Sequence, residues 1–272
     1  MSIRTDFRDL LSKFPLLDGL FRRLIWSRIH FPEIEMRFID SLDSDSIDIA
    51  IDVGAAKGSY AWILNRKSRQ VFAFEPSEMH GRYLDRTIFG TKIQLVKAAV
   101  GSTSSKASMY TPGSDSDALH SATLSQCNPI TCHNETKVCQ VDQVTLDSLF
   151  NDKLDTGRFV DFLKIDVEGY ELEVIKGAQA LIGCYHPLIF CEIEKRHNAE
   201  YGKVFQLLRT AGYKSYIFQE GRFLVFNGDA IDHLQSAEAL KIRLSGSQDP
   251  AMNLYINNFV FQHPQSRIKV IK

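Results

Sequence analysis

Apolar residues gather along the chain in short runs rich in β-branched and aromatic types. These runs alternate with amphipathic stretches of helical period, which predicts an α/β domain on a mostly parallel sheet. The first run, Ile47 to Val53, enters a Gly-x-x-x-Gly turn at Gly54 to Gly58 and then a helix. A second, Val71 to Phe74, is stopped by Pro76, and a third, Ile93 to Val100, ends at Gly101. Lys106 to Tyr110 and Lys137 to Val144 read as extra strands, and Thr145 caps a short helix beginning at Leu146. The fourth and fifth runs, Phe159 to Val167 and Pro187 to Ile193, bracket a helix expected over Glu171 to Ile182. A helix over Val204 to Ala211 closes at Gly212, and a strand over Tyr213 to Phe218 turns at Glu220-Gly221 into Phe223 to Phe226. Ala230 to Leu244 reads as a helix and Tyr255 to Phe261 as the final strand.

Two regions stand outside this rhythm. Residues 1–45 form a helical extension and linker ahead of a main domain at 46–272. Phe7, Leu10, Leu11, Phe14 and Leu17, then Leu20, Phe21, Leu24, Ile25 and Ile29, recur at helical spacing and predict two short helices. Arg22, Arg23 and Arg28 among them allow peripheral docking on a membrane or partner; packing on the sheet edge or over the cleft is the simpler reading. Residues 111–137, rich in Ser, Thr, Asp, Asn and Pro, are a long loop of the kind that covers sites or stays mobile, and His120, Ser121, Thr123 and His133 are its testable residues.

Composition narrows the classes. The chain has 272 residues, 44% of them hydrophobic, enough for one large core. A formal net charge of -1 argues against nucleic-acid binding, and Asn128-Pro129, followed by Ile130, gives no base-flipping motif. No apolar run approaches a membrane span or a secretory signal, so the cytoplasm is the expected location. Cys184 and Cys191 read as small buried hydrophobes, whereas Cys127, Cys132 and Cys139 match no standard zinc spacing.

Each strand of the main domain delivers polar residues at its carboxyl end, where open parallel sheets bind ligands. Asp52 precedes the glycine turn, and Gly54 and Gly58 free the backbone and leave room for a ligand against it. The spacing is not the dinucleotide Gly-x-Gly-x-x-Gly, which favours a nucleoside without a phosphate bridge over NAD. Glu75, roughly 20 residues on, stands where an acidic residue accepts hydrogen bonds from ribose hydroxyls.

Asp-Val-Gly-Ala-Ala-Lys-Gly (52–58), Phe-Ala-Phe-Glu-Pro (72–76), Ala-Ala-Val-Gly (98–101), Val-Thr-Leu-Asp-Ser-Leu (144–149) and Phe-Leu-Lys-Ile-Asp-Val-Glu-Gly-Tyr-Glu-Leu-Glu-Val-Ile-Lys-Gly-Ala (162–178) together resemble the FkbM-type methyltransferases. The resemblance implies a Rossmann-like class I fold, a seven-stranded sheet with an antiparallel C-terminal strand. It also implies S-adenosylmethionine as cofactor and methylation of a hydroxyl on a sugar, glycan, glycolipid or polyketide-type acceptor. It assigns the cofactor Asp52, Gly54, Ala55 and Gly58 at its methionine end, Glu75 and Pro76 at the ribose, and Ala98, Ala99 and Val100 near the adenine. A dinucleotide-dependent oxidoreductase and a catalytically silent module of the same fold remain as alternatives.

Methyl transfer to an alcohol needs alignment, exclusion of water and a proton acceptor. Asp166, Glu192 and His197 are the catalytic candidates. Lys164, Asp166 and Glu168, spaced by two, would share one side of an extended strand. Asp166 then reads as a general base or acceptor-orienting group beside Lys164. In a second reading it joins Glu168 and Glu192 as a ligand for Mg²⁺, and in a third it only anchors the loop. Glu192 lies at the edge of an apolar strand, and His197 follows that strand. Tyr60, Trp62 and Tyr170 are the aromatic candidates for a sugar contact.

Overall fold

A computed structural model describes residues 34–112, 122–126, 128–132, 136–151, 157–219, 221–227, 231–244 and 255–271. The stretch in which two N-terminal helices are expected, with Arg22, Arg23 and Arg28, lies outside the described residues. The first described helix, α1 (Ile34–Ser41), is followed by β1 (Ile47–Val53), α2 (Ser59–Lys67), β2 (Ser68–Phe74), α3 (Glu78–Thr87) and β3 (Ile93–Val96). Next come β4 (Ala99–Val100), β5 (Ser105–Thr111), a 3₁₀ turn at Pro129–Cys132, β6 (Lys137–Val144) and α4 (Leu146–Phe150). The chain continues through β7 (Val160–Ile165), α5 (Glu171–Lys176), α6 (Gln179–Tyr185), β8 (Leu188–Glu192) and α7 (Tyr201–Thr210). It closes with β9 (Lys214–Gln219), β10 (Arg222–Phe226), α8 (Ile231–Leu234), α9 (Ala237–Leu244) and β11 (Asn258–Gln262).

The main sheet runs β10-β9-β11-β8-β7-β1-β2-β3. Its middle, from β8 to β3, is parallel, and β11 lies antiparallel between β8 and β9. It has eight strands rather than the expected seven because β10 pairs at the edge as the second arm of a hairpin. Side-chain alternation sorts the core into two layers. Ile51, Val53, Phe74, Leu163, Ile165, Ile189 and Phe259 face α4 to α7, whereas Ala50, Val71, Ala73, Phe162, Phe190 and Val260 face α1, α2 and α3. The sheet is therefore doubly wound. Helix α1 buries Met36 and Ile39 in the second layer and pairs Asp40 with Arg66 and Lys67 of α2. Among the described residues no helix is long and apolar enough to cross a membrane.

Several expected elements divide. The run from Ile93 to Val100 breaks at Lys97: Ala98 N–H returns to the Val96 carbonyl at 2.9 Å. Ala99 and Val100 then leave the main sheet to pair with β6, which with β5 forms a separate three-stranded sheet. The helix expected over Glu171 to Ile182 is two helices that meet at Gly177. A Cβ at Gly177 would overlap the carbonyl oxygen of Gly101, so this close approach joins the small sheet to the helical layer. The helix expected up to Leu244 also splits, because Ser236 Oγ accepts from Ala239 N–H to cap α9, while Gln235 bonds the carbonyls of Ile193 and Ile256. Cys184 is exposed on α6, contrary to its expected burial, whereas Cys191 is buried.

Gly177→Ala meets backbone at an ordinary φ, so its cost isolates the close approach: about 1–3 kcal/mol of destabilisation by overpacking. Gly183, exposed in α6 with open space around it, gives the opposite sign, and Gly183→Ala stabilises by about 0.5–1 kcal/mol through helix propensity. Urea unfolding midpoints of the two variants check both values.

Candidate functional site

The parallel strands reverse their order beside β1, and an open pocket lies at the carboxyl ends of β2, β1 and β7. The loop after β1 forms its floor. Gly54, Ala56 and Gly58 all take positive φ, at 81°, 48° and 85°. Gly54 and Ala55 N–H both donate to the Phe74 carbonyl at 3.0 Å. The absent Cβ of Gly54 makes room for the Asp166 carbonyl, and that of Gly58 for Leu84 Cδ2, 2.6 Å from where a Cβ would stand. The glycines thus let protein pack closely against the loop.

Glu75, at the end of β2, accepts Ala56 N–H on Oε2 and Ser77 N–H on Oε1, both at 2.8 Å. Burial pushes its carboxyl up to about 7 despite these two donors. Asp52 sits opposite Lys164 in the register of β1 and β7. Burial pushes Asp52 up to about 7 against the nearby Lys164 charge, and its Oδ2 has no hydrogen-bond partner. The Lys164 ammonium lies 4.7 Å from the Tyr60 ring centroid and 3.6 Å from Asp166. Glu171 is a third such group: burial pushes it up to about 7, although Gly169 N–H donates to its Oε1 at 2.7 Å.

Strand β7 ends at Ile165, so the expected extended spacing stops before Glu168. Lys164 and Asp166 stay together, whereas Glu168, with φ 52°, turns its carboxylate to His197, with Oε2 2.7 Å from Nδ1. Burial raises the Glu168 carboxyl, and the His197 hydrogen bond opposes that rise. The carbonyl of Glu168 accepts Thr123 Oγ1–H at 2.7 Å and Asn128 Nδ2–H at 2.8 Å. Thr123 also makes a paired backbone bridge with Tyr110 of β5. This places Met109, Ala122 and Leu124 in the pocket wall.

Of the residues expected at the site, Gly54, Glu75, Pro76, Ala98, Ala99, Val100 and Asp166 line the pocket. Asp52, Ala55 and Gly58 lie behind that lining. Glu192 and His197 are also outside it, yet connected to it. Asn257 Nδ2–H bonds Glu192 and also Glu194, the latter at 3.1 Å, and Glu194 faces His197 Nε2 at 3.8 Å. Tyr170 lines the pocket and donates to Gln143 Oε1 at 3.1 Å, whereas Tyr60 packs beneath Lys164 and neither Tyr60 nor Trp62 reaches the lining. His120, Ser121 and His133 lie outside the described residues. Sequence reasoning missed Met109, Ala122, Leu124 and His80. Only His80 carried a signal, because Ser77 caps α3 and fixes His80 three residues later beside Glu75. Among the described residues no three His, Cys, Asp or Glu side chains gather as metal ligands, so Asp166, Glu168 and Glu192 do not assemble the set that a Mg²⁺ site would need.

The sequence matches the family described as the methyltransferase FkbM domain over residues 52–215. Among solved structures it is similar to a methyltransferase FkbM of Methylobacillus flagellatus KT, at 16% identity and a TM-score of 0.45. That match covers 82% of this chain and 47% of the other, so this chain spans about half that protein's length. It is also similar to a precorrin 8W decarboxylase of Methanobacterium thermoautotrophicum, with 11% identity, a TM-score of 0.39 and coverage of 86% and 91%. A third likeness is a SAM-dependent methyltransferase of Leishmania major, with 12% identity, a TM-score of 0.37 and coverage of 84% and 68%. No curated protein matches the sequence.

Three carboxyls raised to about 7 each contribute to the pH dependence of stability with the same sign. The folded protein holds protons on them that the unfolded chain releases near pH 4, so their contribution is full below about 4 and lost as pH rises through 7. Glu171→Gln removes one ionisation, and its stability relative to the wild type should improve between pH 5 and pH 8. Urea unfolding at the two pH values reads this, and an unchanged difference would contradict it.

Proposed function

The chain belongs to the FkbM methyltransferase family, and we propose that it moves the methyl group of S-adenosylmethionine onto a hydroxyl oxygen of a sugar, glycan, glycolipid or polyketide-type acceptor. One observation carries the cofactor half of this reading. Among the described residues the pocket lining contains Glu75, Asp166 and Glu168 and no Lys or Arg. Such a lining suits a cationic, phosphate-free nucleoside better than an anionic pyrophosphate.

The residues present fit that cofactor. Glu75, its two oxygens already oriented by Ala56 and Ser77 N–H, has the remaining lone pairs of both to accept ribose hydroxyls. Ala98, Ala99 and Val100 give an apolar strip for a base. Gly54 and Ala56 put main chain at the pocket floor, with Asp52 and Lys164 behind it. When bound, S-adenosylmethionine supplies an electrophilic methyl on a positively charged sulfur. Asp166 is the one of Asp166, Glu192 and His197 that lines the pocket, and it orients the acceptor beside that methyl. Met109, Ala122, Leu124 and Tyr170 wall the opposite side and exclude water, which strengthens each polar contact within. The hydroxyl acceptor is the reading that the family resemblance favours, and the polar groups at the ends of β7 and β8 are consistent with it.

Calorimetry tests the cofactor first. S-adenosylhomocysteine should bind and NAD should not, and Glu75→Ala should weaken binding by about 10- to 100-fold, the loss of hydrogen bonds to a charged group. Binding of NAD alone would reverse the reading. Transfer of labelled methyl to fractionated cell glycans and lipids, with mass spectrometry of the product, then identifies the acceptor class.

A further inference from the structure

We infer that Glu168 is the group that takes the proton from the acceptor hydroxyl, and that His197 is a positioning residue that clamps its carboxylate. The inference rests on the methyl-transfer reading. Glu168 lines the pocket three residues beyond the end of β7, two strands over from Glu75 at the end of β2. The nucleoside side and the acceptor side are thereby separated by the glycine loop between them.

The local backbone is built around this side chain. Glu168 is a non-glycine residue at positive φ, a conformation that costs on the order of 1–3 kcal/mol and persists only where its surroundings hold it. Here they do so from three directions. Thr123 and Asn128 bond its carbonyl. Gly169, at φ 94°, lies so close to the His197 carbonyl that a Cβ would come within 2.6 Å of it. His197 Nδ1 holds Oε2. The imidazole is itself backed by Glu194, which accepts from Arg196, from Tyr255 Oη–H at 3.1 Å and from Asn257 at 3.1 Å. A strained residue held at a pocket by a series of polar contacts is the signature of a group kept for its position.

The chemistry balances. As the acceptor oxygen bonds the methyl carbon, the carbon–sulfur bond breaks and its electron pair stays on sulfur. The hydroxyl proton passes to Glu168 Oε1, since Oε2 is engaged by His197. The side chain is 20% exposed and returns the proton to water. The groups that face Glu168 act on it in opposite senses. Burial, Asp166 and Glu194 raise its carboxyl and His197 lowers it, while Arg196 and the buried Glu171 lie close enough to feel its charge directly. A carboxyl raised toward the working pH is the better proton acceptor.

Three variants, Glu168→Gln, His197→Ala and His197→Asn, test this, with Glu-carboxyl ¹³C NMR as a readout that needs no acceptor. The resonance lost in Glu168→Gln should titrate above the ordinary value of about 4.3 and climb by about one further pH unit in His197→Ala. His197→Asn, whose amide nitrogen can stand in for Nδ1, should bring it back. With the fraction that the wild-type protein methylates, Glu168→Gln should lower kcat by about 10²–10⁴-fold and leave S-adenosylhomocysteine affinity within about twofold. Methylation at the wild-type rate by Glu168→Gln, or a Glu168 carboxyl that titrates normally and ignores His197→Ala, overturns the inference alone. If the wild-type protein binds the cofactor yet labels no fraction, the methyl-transfer reading fails and the inference falls with it.

Discussion

The whole site hangs on main-chain contact between two loops that are far apart in sequence. Gly54, leaving β1, lies against the carbonyl of Asp166, leaving β7, and Asp166 N–H in turn donates to the Val53 carbonyl at 3.0 Å. With the bonds from Gly54 and Ala55 to Phe74, this ties the ends of β2, β1 and β7 into one rigid rim. A side chain at residue 54 would push the strands apart at the point where the pocket opens. Glu75 and Asp166 take their places from that rim, and Glu168 follows two residues beyond it.

The same rim forces carboxylates into places where water cannot reach them. Asp52, Glu75 and Glu171 are each at least nine-tenths buried, and none has a full set of partners among cations. Lys164 is the compensating charge, itself enclosed by Tyr60 and Asp166. Groups held this way reduce folding stability near neutral pH. Of the three, only Glu75 lines the pocket, where its carboxyl is already desolvated and held in place by the Ala56 and Ser77 N–H groups.

Much of this was legible in the sequence because the informative residues sit at strand ends, where a run of apolar residues stops and turn chemistry begins. Gly54, Glu75, Asp166 and the capping Thr145 were found by position alone. What was not legible depended on contacts between segments with no shared period. The break at Gly177 is set by Gly101 across the fold, and Ala99-Val100 leave the main sheet because β6 offers a partner. The turn at Glu168 follows from its clamp by His197, some 30 residues away. Extended spacing placed Glu168 beside Asp166, but a left-handed φ cannot be read from a run that looks like unbroken strand. The pocket wall at Met109, Ala122 and Leu124 carries no chemical signature at all.

That wall has an evolutionary corollary. None of its fastenings uses the side chains of Met109, Ala122 or Leu124: they are the Thr123 and Asn128 side chains on the Glu168 carbonyl, the paired backbone bridge between Tyr110 and Thr123, and the Gly101–Gly177 approach. Side chains that project from it into the pocket can therefore be exchanged without loosening its attachment. The wall can change in shape and polarity by drift in a few residues, while the glycine-loop rim stays recognisable across long divergence.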